Sequence, residues 1–135
     1  MQIERPDMAR HRLILGLILA VLATSPATAQ SAEAITISLT DYAFTPASLA
    51  LKAGTTYRLH FTNGGSKDHN FTAPEFFFAS QIAADDQAKV KRGTVAIDKG
   101  QEIELVVTPV AGSYPFTCTH FMHKMMGMHG TITVQ

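Results

Sequence analysis

The sequence contains a single cysteine among its 135 residues, and its 11 basic and 11 acidic residues cancel to a net charge of zero. One cysteine cannot form a disulfide within the chain, so its thiol is a metal ligand, a buried apolar group or half of an intermolecular bridge. A neutral chain without a basic cluster argues against a nucleic-acid partner. Repeats and low-complexity tracts are also absent from the sequence.

The first 29 residues have the pattern of a signal peptide for export. Three arginines precede an apolar run of eleven residues, and Ala27-Thr28-Ala29 offers a cleavage site of small residues. The apolar run is shorter than the roughly 20 residues that a membrane-spanning helix needs. We therefore predict cleavage before Gln30 and a periplasmic or secreted protein that has no membrane span after cleavage.

The predicted mature domain, residues 30–135, suits one hydrophobic core. Its 106 residues are within the usual size of a single domain. Removing the 3 basic and 2 acidic residues of the leader from the 11 of each kind leaves 8 Lys and Arg against 9 Asp and Glu. No charged docking surface stands out, and we expect a monomer.

Most of this domain shows the alternation of apolar and polar residues that is typical of half-buried strands. Clear examples are residues 35–39, 57–61 and 103–107. Turn-forming residues, such as Gly54 and the stretch Asn63-Gly64-Gly65-Ser66, separate the alternating segments. Many short strands with regular turns predict an all-β fold, which we take to be an antiparallel Greek-key β-sandwich.

One segment departs from the alternation. Residues 75–88 follow Pro74 and carry apolar residues at a spacing closer to that of a helix. We predict a short helix or an irregular insertion there, packed on one edge of the sandwich. We expect Phe76, Phe77 and Phe78 to serve packing, with Phe77 partly exposed.

The most informative segment covers residues 116–134 and reads FTCTHFMHKMMGMHGTITV. Cys118 lies five residues before His123 and ten before Met128, so one loop-sized stretch offers a thiolate, an imidazole and a thioether. The residues before Cys118 alternate like a strand, and the end of a strand followed by a tight loop can bring three donors to one point. A second imidazole, His69, begins another strand-like segment. Two His and one Cys with a weak axial Met form the ligand set of a copper electron-transfer site.

Each of these residues has an ordinary alternative role. An isolated Cys118 is commonly a buried thiol in a hydrophobic core, and His123 alone would be an exposed loop residue. In a structural or adhesive sandwich, Cys118, His69 and His123 would not be brought together. Their joint spacing, with a His-Asn pair upstream, favours the metal site.

On these residues the chain resembles the cupredoxins, the family that includes plastocyanin, azurin and pseudoazurin. The resemblance covers nearly all of the mature domain, and its motifs are specific in combination although each is weak alone. The motifs are Phe44-x-Pro46, the Gly54 turn, Phe61-Thr62-Asn63, His69-Asn70, Gly112-x-Tyr114-x-Phe116-x-Cys118 and Gly127-Met128-x-Gly130-x-x-x-Val134.

The resemblance implies one copper ion in a type 1 site, with His69, Cys118 and His123 as equatorial ligands. Met128 would be the axial ligand. The protein would then carry single electrons between Cu(II) and Cu(I), would not be an enzyme, and would meet its redox partners in small, transient complexes. An oxidase or nitrite reductase with several coppers would need His-x-His clusters, which the sequence lacks.

The resemblance also implies that Asn70 fixes the ligand loops by hydrogen bonding near Thr119, the residue after the cysteine. Such outer contacts orient the ligands and tune the metal. Zinc remains chemically possible at the same residues, because it also accepts nitrogen and sulfur donors.

Departures from the family pattern leave the ligand set open. The Cys-to-His spacing resembles that of azurin, whereas the His-to-Met spacing resembles that of plastocyanin. His120 stands where many relatives have Pro or Gly, and it could replace His123 as a ligand. Met125 or Met126 could replace Met128 as the axial donor, although the position of Met128 in the Gly-Met-x-Gly frame fits the family better.

The same loop has an excess of soft donors. Four Met and three His residues crowd positions 120–129. We favour an apolar rim around the edge of His123 that serves as an adaptable docking patch. The alternative is a transient second Cu(I) site, since thioethers suit Cu(I). That alternative would make the protein a periplasmic copper chaperone or copper-tolerance protein, with a copper donor or acceptor as its partner.

Overall fold

The computed structural model describes residues 31–135, and the predicted signal peptide lies outside them. No helix in this part of the chain is long and apolar enough to cross a membrane. The helices are α1 (Pro74–Ala79) and a 3₁₀ helix (Ala84–Lys89). The strands are β1 (Glu33–Thr40), β2 (Ala43–Thr45), β3 (Ser48–Leu51), β4 (Tyr57–Asn63), β5 (His69–Thr72), β6 (Gln81–Ile82), β7 (Thr94–Ile97), β8 (Glu102–Thr108), β9 (Gly112–Thr117) and β10 (His129–Val134).

Between residues 31 and 135 these strands form two five-stranded sheets, ordered β2-β1-β4-β8-β6 and β3-β10-β9-β5-β7. Apolar side chains of both sheets are buried in one shared cluster, so the sheets form a β-sandwich. The predicted all-β sandwich is confirmed. Most neighbouring strands are antiparallel, but β1 pairs with β4 and β3 pairs with β10 in parallel. Alternation could not indicate these parallel pairs, because side chains alternate with period two in both kinds of pair.

Strand β4 shows how the alternation builds the core. Tyr57, Leu59 and Phe61 are buried, whereas Arg58 between them is exposed. Full burial of such a side chain contributes roughly 1.5–3 kcal/mol. Because β4 lies between β1 and β8, both of its edges are paired, and its inner face packs in the shared core.

An aromatic centre lies next to the predicted metal ligands. Phe71 and Phe116 are stacked, with ring centroids 4.7 Å apart, and Phe44 meets Phe116 edge-on at 5.1 Å. Phe71 is two residues after His69, and Phe116 is two residues before Cys118. Period two places each aromatic ring on the same side of its segment as the candidate ligand. The aromatic core therefore lies next to the segments that carry His69 and Cys118.

The predicted insertion is a helix, a two-residue strand and a 3₁₀ helix, and β6 lies at the edge of the first sheet. Phe76 and Phe77 are buried, whereas Phe78 is exposed. The expectation of an inward Phe78 and a partly exposed Phe77 is therefore wrong. Three successive residues of a helix span more than half a turn, so all three rings cannot face the core.

Side chains of the 3₁₀ helix protect the edge of β8 where β6 ends. The Val106 N–H donates a hydrogen bond to the Asp86 carboxylate at 2.7 Å, and Lys89 donates one to the Glu104 carbonyl at 2.7 Å. Lys89 also pairs with Asp86 at 2.6 Å. These contacts occupy backbone groups that would otherwise form an open sheet edge.

Candidate metal centre

His69 is placed by the second sheet. It is the first residue of β5, which lies between β9 and β7, and it pairs with Ile97 of β7. Its side chain is completely buried. The sheet therefore fixes the backbone of His69 before any metal is considered.

Cys118, His123 and Met128 are placed by the loop between β9 and β10. The Cys118 N–H donates to the Met128 carbonyl at 3.1 Å, and the Met128 N–H donates to the His123 carbonyl at 3.0 Å. These two bonds bring the backbones of the three residues together. The Met128 side chain is fully buried.

Three donor atoms converge from the two segments. The Cys118 Sγ lies 3.4 Å from Nδ1 of His123 and 4.0 Å from Nδ1 of His69. The two Nδ1 atoms are 3.2 Å apart. All three side chains are buried, and their donor atoms lie within 4.8 Å of one another. The structure thus brings together His69, Cys118 and His123, and it buries Met128 in the hydrophobic core that also contains Cys118.

The alternative ligands lie differently. His120 is exposed, and its ring centroid is 5.5 Å from that of His123. Met125 and Met126 are also exposed. Among the described residues, His120 is not part of the buried cluster of His69, Cys118 and His123.

The surroundings favour the neutral form of His123. Burial lowers the pKa of this imidazole, and positive charge on His69 and His120 lowers it further. A neutral imidazole has a free lone pair, which is the form that binds metals. Two imidazoles and one cysteine sulfur in a buried cluster fit copper, and they fit zinc as well.

The predicted contact between Asn70 and Thr119 is present. Asn70 Oδ1 accepts a hydrogen bond from the Thr119 N–H, and Asn70 Nδ2 donates to the Thr119 hydroxyl, both at 2.9 Å. Thr72 donates to the same Asn70 Oδ1 at 3.0 Å. One side chain therefore ties β5 to the segment that follows Cys118.

Two neighbours of the site were not found from the sequence. Asp41 lies 3.4 Å from Nε2 of His69, and the Tyr42 ring stands edge-on to His123 with centroids 5.3 Å apart. Both residues belong to the turn between β1 and β2, which is distant in sequence from the site. Asp is common in turns, so this position had no signal that would mark it as functional.

The chain belongs to the family of cupredoxin-like domains, whose sequence profile matches residues 12–134. The fold and the buried His-Cys-His cluster agree with this membership. No curated protein matches the chain in sequence.

Solved structures share the fold. A dithionite-reduced auracyanin from Roseiflexus castenholzii is 22% identical with a TM-score of 0.58, over 78% of this chain and 99% of that one. Auracyanin B is 26% identical with a TM-score of 0.56, over 77% and 89% of the two chains. A multicopper oxidase from Campylobacter jejuni is 16% identical with a TM-score of 0.54, over 76% of this chain but 30% of that one.

Proposed function

We propose that this protein is a mononuclear copper protein of the blue-copper type that carries single electrons. His69, Cys118 and His123 would hold the ion, with Met128 as the axial donor. The observation that carries this proposal is the buried convergence of one sulfur and two imidazole nitrogens within 4.8 Å. Bound copper would supply a one-electron change between Cu(II) and Cu(I).

The chain's own contribution would be a closed and rigid site. His69 is held by a sheet and Cys118 by backbone bonds at the end of β9, so the donors can keep similar positions in both oxidation states. Burial of His69, Cys118 and His123 shields their donor atoms from solvent. Catalytic metal sites instead keep an open position. We therefore propose a carrier rather than an enzyme.

The route for electrons would pass through His123. This residue is the least buried of the three donors, at 6% exposure against 1% for His69 and 0% for Cys118. Exposed methionines of the same loop surround it in sequence and offer an adaptable apolar surface. A redox partner would contact this surface briefly, as is usual for electron-transfer complexes.

The test is a visible spectrum of the purified domain after addition of Cu(II). We expect an intense thiolate-to-copper band that disappears in Cys118→Ser. Thr117→Ser is a matched control, since it changes the preceding residue but leaves the sulfur, and it should keep the band. A wild-type domain that binds Cu(II) without such a band would contradict the proposal.

A second pair of variants tests the histidine assignment. His123→Ala should lose or strongly change the band, and His120→Ala should keep it, because His120 is exposed. The reverse result would show that His120 is the ligand and that the assignment is wrong.

Handover of Cu(I) is a second candidate function, favoured by one observation. Met122, Met125 and Met126 are exposed by 46%, 81% and 55%, although apolar side chains of this size are usually buried. Thioethers are good Cu(I) ligands. If these residues deliver copper, replacing all three by Leu should slow Cu(I) transfer to a chelating acceptor by about tenfold or more. If they form only a docking rim, the transfer rate should stay unchanged.

We also propose that the protein works in the periplasm or outside the cell. The support is the basic start, the short apolar run and the small-residue site of the leader. N-terminal sequencing of protein recovered from the periplasm and the medium should begin at Gln30. Recovery of the uncleaved chain from the cytoplasm would contradict this location.

A further inference from the structure

The two nitrogens of the His69 ring face different groups. Nδ1 points toward Cys118 Sγ and His123 Nδ1, whereas Nε2 lies 3.4 Å from Oδ1 of Asp41. That distance is slightly longer than the usual hydrogen-bond range of about 2.7–3.2 Å. Within residues 31–135, Asp41 is the hydrogen-bond partner of His69 Nε2.

This contact favours one of the two possible positions of the His69 ring proton. The side chain is completely buried, so Nε2 cannot rely on bulk water for a partner. A carboxylate accepts hydrogen bonds but cannot donate them, so it favours a proton on Nε2. A neutral ring with its proton on Nε2 presents a lone pair at Nδ1, the atom that faces the other two donors.

Asp41 is itself held in place. The Ser66 N–H donates to Oδ1 at 2.9 Å, and the Ser66 hydroxyl donates to Oδ2 at 2.6 Å. Ser66 lies in the loop just before β5. The Asp41 carboxylate therefore links the turn after β1 to the loop that leads into His69. Its orientation is therefore not that of a freely rotating surface side chain.

Gly65 packs directly against this contact. A Cβ atom at position 65 would lie 2.7 Å from Asp41 Oδ1 and 2.8 Å from His69 Nε2. Neither distance is tolerable for a real carbon atom. The absent side chain leaves room for Asp41 and His69 to meet, whereas the neighbouring Gly64 has open space around it.

We propose that Asp41 is a positioning residue for the metal centre. It holds the Nε2–H of His69, which fixes Nδ1 as the donor atom, and its negative charge stabilises Cu(II) relative to Cu(I). The inference rests on the proposed copper function. Partners of this kind, which bind the second nitrogen of a ligand histidine, commonly raise metal affinity about 10- to 100-fold.

Two variants of Asp41 separate charge from hydrogen bonding in the copper-loaded protein. Asp41→Asn keeps an oxygen acceptor but removes the charge, so the affinity ratio of Cu(II) to Cu(I) should fall about fivefold. At 59 mV per tenfold change for one electron, the reduction potential should rise by about 40 mV. Asp41→Ala also removes the acceptor and should lower Cu(II) affinity about tenfold or more.

Matched controls distinguish this role from a general effect of charge or of loop changes. Asp68 is adjacent to His69 in sequence, but its carboxylate accepts a hydrogen bond from the Lys99 N–H at 2.8 Å. Asp68→Asn should therefore shift the potential much less than Asp41→Asn. Gly65→Ala should weaken copper binding as Asp41→Ala does, whereas Gly64→Ala should leave it unchanged.

The proton on His69 gives a readout that does not depend on electron transfer. In the Cu(I)-loaded protein, which is diamagnetic, the Nε2–H of His69 should give an NMR signal that exchanges slowly with water. In Asp41→Ala the exchange should be at least about tenfold faster, since the acceptor is lost. In Asp68→Asn it should be unchanged.

Equal potential shifts in Asp41→Asn and Asp68→Asn, or unchanged proton exchange in Asp41→Ala, would overturn the inference. Failure of the underlying function is a different result. In that case the wild-type protein itself would lack the thiolate-to-copper band. A normal wild-type band with no effect of Asp41 would contradict only the positioning role.

Discussion

The two segments that carry the candidate ligands are held in different ways. His69 lies on β5, which pairs with β7 over four residues and with β9 at Thr72. Cys118, His123 and Met128 lie in or beside a loop whose internal contacts are mostly backbone turns. The candidate ligand on the strand is thus placed by the sheet, whereas the candidate ligands of the loop depend on a few local hydrogen bonds.

Exposure follows the same division. Three of the four residues of β5 are buried. In the loop, the buried His123 is flanked by strongly exposed residues such as Phe121 and Met125. The comparison teaches that the strand is part of the core, while the loop combines a buried candidate ligand with exposed apolar side chains. A bound ion should therefore order the loop more than the strand.

The largest expected effect comes from removing the core beneath the strand. Phe71→Ala should destabilise the copper-free domain by about 3–5 kcal/mol in urea unfolding, because Phe71 is fully buried in the aromatic centre. Phe121→Ala in the loop is the matched control. Its ring is 90% exposed, so its effect should stay within about 0.5 kcal/mol. Similar losses in both variants would abolish the distinction between the two segments.

Copper should stabilise the domain and act unequally on the two segments. At a free concentration one hundred times the dissociation constant, a ligand of the folded state adds about 2.7 kcal/mol of stability. We expect the gain in amide hydrogen-exchange protection to be larger for residues 119–127 than for β5. Equal gains in the two segments would show that the loop is already as well ordered as the strand.

Breaking the tie between the segments should have an intermediate effect. Asn70→Ala removes the acceptor of the Thr119 N–H and the donor to the Thr119 hydroxyl, and should cost about 2 kcal/mol in urea unfolding. Thr119→Ala removes only the second bond and should cost about half as much. A Thr119→Ala cost equal to that of Asn70→Ala would mean that the backbone bond contributes little.

The smallest effect is expected at the β8–β6 edge of the first sheet, whereas both candidate ligand segments belong to the second sheet. Burial would raise the pKa of Asp86, but hydrogen bonds from Lys89 and from the Val106 N–H outweigh it and lower the pKa. The ionised carboxylate therefore stabilises the fold above its unfolded pKa of about 3.9, and this contribution is lost as pH falls through the lower folded value.

Asp86→Asn should accordingly destabilise the domain by about 1 kcal/mol at pH 7. The difference from the wild type should shrink when urea unfolding is repeated below about pH 4. The exposed neighbour offers a control, as Asp85→Asn should have little effect at either pH. A difference that stays constant down to pH 2 would contradict the assigned role, and the copper band should be unchanged in both variants.

Much of the fold and part of the site could be predicted from the sequence. The alternation at residues 57–61 became β4, and the spacing of Cys118 and His123 was sufficient to suggest a shared site. Position 78 was misjudged, because three successive residues of a helix cannot all face the core, and the sequence did not show which of them faces solvent. Asp41 was missed, because an aspartate in a turn looks the same whether or not it meets a histidine.

The sequence by itself determined the strand-rich composition, the sandwich class and the set of soft donors around position 118, because alternation and spacing are local properties of the chain. Only the tertiary structure decided that His69 meets Cys118, that Met128 is buried while Met125 is exposed, and that a carboxylate faces Nε2 of His69. Such contacts depend on strand register and loop closure between distant residues, which no short sequence pattern encodes.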